Sequence, residues 1–96
     1  MRVRYTRRAR NDLHEIDTYL RERSPHGARS VLAAIGRAVA LIAEAPRRGQ
    51  MTDAPEVRRL AVVRYRYAVY FRVRDEEVHI VHIRHTARQL PTLDDL

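Results

Sequence analysis

Apolar and polar positions alternate, then recur at helical spacing, then alternate again. Arg2 to Tyr5 reads as a short strand with Val3 and Tyr5 on one side. Thr6 is a cap residue. After it, Ala9, Leu13, Ile16 and Leu20 fall on one helical face with Tyr19 flanking and charged residues opposite. Ser24-Pro25 restarts the pattern, serine at the cap and proline in the first turn. Ala28, Val31, Leu32, Ile35, Val39 and Ile42 then form one apolar stripe that stops at Ala45-Pro46, because proline disfavours helix at the residue before it. Two helices so closely joined pack as an antiparallel hairpin.

The stretch 46–56, with Arg47, Arg48, Gly49 and Pro55, is expected to be a loop. Three strands are predicted beyond it, over 57–64, 65–74 and 78–85. A three-residue turn, Asp75-Glu76-Glu77, is preferred to a two-residue one. It sets Phe71 opposite Val81 and Val69 opposite Ile83, apolar against apolar. In the middle strand Tyr67, Val69, Phe71 and Val73 share the face expected to meet the helices. Arg66, Ala68, Tyr70, Arg72 and Arg74 share the other. The order β-α-α-β-β-β predicts one α+β domain over 1–96, its helical hairpin packed on one face of a mainly antiparallel sheet. Leu90, Leu93 and Leu96 mark the last residues as a tail able to dock.

Composition narrows the chemistry. The chain has 96 residues, 45% hydrophobic and 32% charged, which fits a single globular domain. It has no cysteine, which excludes disulfides, thiolate zinc sites and cysteine nucleophiles. It lacks an apolar run of membrane-spanning length, and its basic start is not followed by the apolar stretch of a secretory signal, so a cytoplasmic protein is expected. All 19 basic residues are arginine against 12 acidic ones, for a formal charge of +7. Guanidinium groups suit phosphates and carboxylates alike, so the partner classes are nucleic acid or an acidic protein segment.

His79, His82 and His85 recur every third residue, as zinc ligands on a helix would. On a strand His82 faces away from the other two, and His79 and His85 lie ~20 Å apart, so no metal site and no cofactor is expected. Ser24 and Ser30 lie outside any nucleophile motif, Asp75 to Glu77 read as a solvated turn, and His14 as half-exposed. Arg66, Arg72 and Arg74, with Tyr70 among them, are the strongest constellation. They could stabilise a phosphate, receive acidic side chains, or form a solvated sheet face.

The run Tyr65-Arg66-Tyr67-Ala68-Val69-Tyr70-Phe71-Arg72-Val73 resembles a strand of the RelE/ParE toxins. So do the hydrophobic strand ending His85-Thr86-Ala87-Arg88, the Pro46-Arg47-Arg48-Gly49 loop, and Val57-Arg58-Arg59-Leu60. Ala9, Asp12-Leu13, Ile16 and Tyr19-Leu20 fit the first helix of that superfamily. The resemblance implies a type II toxin held inactive, as a hetero-oligomer, by a cognate antitoxin whose acidic, amphipathic C-terminal segment wraps it. The His85-x-x-Arg88 ending resembles the ParE branch, whose members bind and inhibit DNA gyrase. The alternative is the RelE branch, which cuts messenger RNA on the ribosome; there Arg66, His85 and Arg88 would be the catalytic candidates. A third reading is an inactive relic. For a ParE-like chain, Arg66, Tyr70, Arg72, Arg74, His85 and Arg88 are the candidates for antitoxin or target binding. His85 and Arg88 could also simply shape the strand end, Arg88 pairing with Asp94 or Asp95.

Overall fold

Two hydroxyl caps set the helical half of the molecule. A computed structural model describes residues 1–87. β1 (Arg2–Tyr5) leads into α1 (Arg7–Arg23), where the Thr6 side chain accepts the Ala9 N–H. Ser24 ends α1 and begins α2 (Pro25–Glu44). Its N–H donates to Leu20 and its hydroxyl accepts from Gly27. The predicted boundaries hold because each is a local cap rather than a tertiary effect. α2 is long and apolar enough, by length and composition alone, to cross a membrane. Its stripe Ala28, Val31, Ala34, Ile35, Ala38, Val39 and Ile42 is buried within the domain.

The expected loop after α2 holds more structure than its sequence suggests. Pro46–Arg48 forms a 3-10 turn and Gln50–Met51 a short edge strand, β2. β3 (Arg58–Ala61), β4 (Tyr67–Arg74) and β5 (Glu77–His85) complete a five-stranded sheet in the order β1-β5-β4-β3-β2. β1 runs parallel to β5 and the other pairs are antiparallel. The α+β architecture is therefore as expected, with shorter third and fourth strands than predicted. Tyr67, Val69, Phe71, Val78, Ile80 and Ile83 meet the helices in one core, and Val3, Tyr5, Leu13, Ile16 and Leu20 pack against it. Burial pushes the Tyr5 phenol above its usual value of 10.0.

The β4–β5 hairpin corrects the expected turn. Arg74 pairs with Glu77, so the loop has two residues, and Asp75 and Glu76 have φ of 53° and 61°. Positive φ at both central positions is the geometry of a type I′ turn. Phe71 faces Ile80 rather than Val81, yet Val69 does face Ile83, because a bulge near Val81 shifts the register between Tyr70 and Phe71. Glu77 is thus a strand residue, not part of a solvated turn.

The bulge also changes which histidines share a face. His79 pairs with Arg72 and His82 with Tyr70, whereas His85 pairs with the core residue Tyr67. The expectation that His79 and His85 share a face, with His82 opposed, is therefore reversed. Among the described residues no three His, Asp or Glu side chains converge in the manner of a metal site.

Gly49 is where backbone and core meet most closely. A Cβ there would lie 2.6 Å from Phe71 Cζ and 2.8 Å from Cε1. Its carbonyl accepts from Arg58 Nη1 at 2.9 Å, tying the 3-10 turn to β3. The final glycine of the Pro46-Arg47-Arg48-Gly49 motif is required by close approach rather than by a left-handed φ.

Candidate functional site

The outer face of the sheet, away from the helices, is divided. The loop before β3 folds back over its centre, and Ala54, Val57, Ala68, Tyr70 and Val81 form a second apolar cluster. A turn at Pro55-Glu56, closed by the Val57 N–H on the Ala54 carbonyl, carries this loop. Glu56 takes φ of 64° there. Tyr70 is 3% exposed, so its place among presented side chains is corrected: the chain itself covers it.

The remaining predicted residues fall at two ends. Arg72 and Arg74 lie on β4 toward the β4–β5 turn. Arg72 is half-buried, and Arg74 is exposed and donates to Glu56 at 2.9 Å. Arg66 precedes β4 instead of lying on it; it is exposed, and its carbonyl accepts the Thr86 N–H at 2.7 Å. That bond brings Arg66 to the end of β5 where His85 sits. The His85 ring packs edge-on against Tyr67 at 5.1 Å, and its Nδ1 accepts the Ala87 N–H at 3.2 Å. Arg88, Leu90, Leu93, Leu96, Asp94 and Asp95 lie outside the described residues.

Beside His85, between α1 and β5, the described residues leave a groove of about 850 Å³. Ile16, Tyr19, Leu20, Tyr67 and Ile83 give it apolar walls. Arg8, Glu15 and Arg84 charge its rim, and His85 adds an imidazole there. Tyr19 is 49% exposed and stacks under the Arg23 guanidinium at 3.6 Å. His14 is exposed, in line with the expectation of an accessible side chain beside the apolar stripe.

Asp12 and His82 also line the groove, and both are buried. β1 pairs with β5 only as far as Ile80, so the next residues of β5 form an open edge. The start of α1 covers it. Thr6 N–H donates to Ile80, the Thr6 hydroxyl donates to the Val81 carbonyl, and Asp12 Oδ2 accepts from Ile83 N–H at 3.0 Å. The same Oδ2 lies 2.6 Å from His82 Nδ1, and Arg8 Nε lies 3.5 Å from Oδ1. An ionised carboxylate only accepts, so His82 Nδ1–H is the donor. Neither Asp12 nor His82 was singled out as a site residue from the sequence. The available signal was a carboxylate at position 12, inside the apolar stripe of Ala9, Leu13 and Ile16.

Residues 3–90 match the family described as ParE toxin of type II toxin-antitoxin system, parDE. The chain is 33% identical over 90 residues to a putative toxin, Y4kP, of Sinorhizobium fredii, covering 94% of this chain and 93% of that one. It is 40% identical over 86 residues to toxin RelE2 of Caulobacter vibrioides, covering 90% and 96%. A solved chain of the chromosomal ParDE TA system from P. aeruginosa superposes with a TM-score of 0.80 at 26% identity, covering 88% of this chain and 95% of its own.

Proposed function

Because the chain belongs to the ParE toxin family of type II toxin-antitoxin systems, we propose that it acts in the cytoplasm by binding and inhibiting DNA gyrase. Membership implies an antitoxin partner. On our reading the antitoxin's acidic, amphipathic segment occupies the groove between α1 and β5. Its apolar residues would lie against Ile16, Tyr19 and Leu20, and its carboxylates near Arg8 and Arg84.

The observation that carries the binding reading is the company His85 keeps: the Ala87 N–H on its Nδ1 and Arg66 as its neighbour. Cleavage of RNA through the 2′-hydroxyl needs one group to take a proton and another to give one. His85 is a single imidazole whose Nδ1 is engaged by the Ala87 N–H, so it can fill at most one of the two roles. Arg66, its neighbour, stays charged and serves neither role. Among the described residues, this end of the sheet offers recognition groups, which on our reading serve the antitoxin.

Purified protein assayed with gyrase on relaxed plasmid, and in parallel with programmed ribosomes, tests the reading. Inhibited supercoiling with intact messenger RNA is expected. Arg66→Ala should inhibit gyrase as well as the parent does. Cleaved messenger RNA with normal supercoiling would replace this reading with the ribosome-dependent nuclease.

A further inference from the structure

The end of the outer sheet face next to the β4–β5 turn carries a charge pattern that neither the gyrase reading nor the antitoxin groove uses. Val3 and Tyr5 of β1 pack toward the core, so Arg2 and Arg4 project to the opposite face. Arg4 pairs in register with His79, and His79 with Arg72. Arg2 pairs with Glu77, and Glu77 with Arg74. Two transverse rows result, Arg4–His79–Arg72 and Arg2–Glu77–Arg74. Their members are spaced by the strand separation of about 4.8 Å, and the rows lie about 7 Å apart.

Glu77 holds the array together. Its carboxylate lies 3.8 Å from Arg2 Nε, 3.8 Å from Arg4 Nη1 and 3.4 Å from His79 Nε2. One carboxylate shared by two guanidiniums and an imidazole leaves the group basic. The other acidic neighbours are Glu56, which reaches Arg74 from the side, and the exposed Asp75 and Glu76 of the adjoining turn. The arginine side chains of β1 are 85% and 69% exposed, so both of these guanidiniums face solvent. Arg59 extends the field onto β3, on the same face and diagonal to Arg72.

We propose that this array binds the phosphodiester backbone of duplex nucleic acid. Three features select that ligand. Arginines of neighbouring rows on one strand stand about 7 Å apart, comparable to successive backbone phosphates, and planar guanidiniums match phosphate oxygens. All six row positions are polar or charged, so a protein partner would lack the apolar anchor that dominates binding energy at protein interfaces. Tyr70 is buried, and the rows hold no exposed aromatic on which an unpaired base could stack, so contact is to the backbone rather than to splayed bases. Such binding is independent of sequence and sensitive to salt.

The test is fluorescence anisotropy of the full-length chain with a labelled 20-base-pair DNA duplex, an RNA duplex, and a polyglutamate competitor. Neutralising four phosphates predicts that log affinity falls with log salt at a slope of about −3.6. Arg2→Gln/Arg4→Gln, at exposed edge positions that the core does not use, should weaken duplex binding at least tenfold and reduce the slope by about 2. Arg29→Gln/Arg37→Gln, which removes the same charge from α2, should change affinity less than threefold. Equal losses in the two double variants would overturn the site, as would duplex binding with no salt dependence. Polyglutamate that displaces duplex at equal charge concentration would show an acidic protein to be the partner instead. Neither result depends on whether gyrase is inhibited.

Discussion

Replacing Asp12 with alanine should be the most damaging single change at the groove, and its size follows from two bonds. Asp12 Oδ2 is the partner of the Ile83 N–H and of His82 Nδ1. Ile83 is 2% exposed and His82 6%, so water cannot readily replace the lost acceptor. A buried donor left without a partner costs about 1–3 kcal/mol, and two donors are orphaned, giving about 2–6 kcal/mol. Domains of this kind are stable by about 5–15 kcal/mol, so the loss is a large share of the total. With a urea dependence of about 1–2 kcal/mol/M for a small domain, the unfolding midpoint should fall by about 1–6 M. Asp12→Asn keeps one acceptor oxygen for the Ile83 N–H and should recover about half of the loss. Urea melts of the three proteins, with amide exchange at Ile83, measure this directly. An alanine variant within 0.5 kcal/mol of the parent, or one equal to the asparagine variant, would refute the claim that the carboxylate anchors the β5 edge.

Two further changes probe the backbone. Gly49→Ala drives a Cβ to 2.6 Å from Phe71 Cζ, and overpacking of this kind costs about 1–3 kcal/mol. Phe71→Leu should be less damaging in that background than in the parent, a coupling that a double-mutant melt reads. Glu76→Gly relieves a left-handed residue at φ 61° in the two-residue turn and should raise stability by about 1 kcal/mol, seen as a higher thermal midpoint.

What could be read from the sequence was whatever local chemistry decides. Thr6, Ser24-Pro25 and Ala45-Pro46 are signals confined to a few residues, and the helices begin and end there. The β4–β5 register was misread because Asp75-Glu76 forms a type I′ turn without the Asn-Gly or Asp-Gly signature that usually announces one. The bulge near Val81 depends on contacts with Thr6 and Asp12 across some 70 residues, which no local window contains. The arginine face was legible as an alternation on β4. Its division was not, because the loop that buries Tyr70 looks polar and carries only Ala54 and Val57 as apolar anchors. The Arg2–Glu77–Arg74 row needed the parallel pairing of the first strand with the last, a long-range fact.

Ser24 serves two helices at once, closing α1 with its N–H and opening α2 with its hydroxyl. No slack therefore separates the arms of the hairpin, and a force on one is felt by the other as a lever about a single pivot. Asp12, in the second turn of α1, is clasped to β5, so a partner that tilts α2 would pull on the sheet edge through that clasp. Lengthening the pivot by a glycine or two should uncouple the arms: the fold would persist, but pressure on α2 would no longer reach the strand that carries His82 and His85.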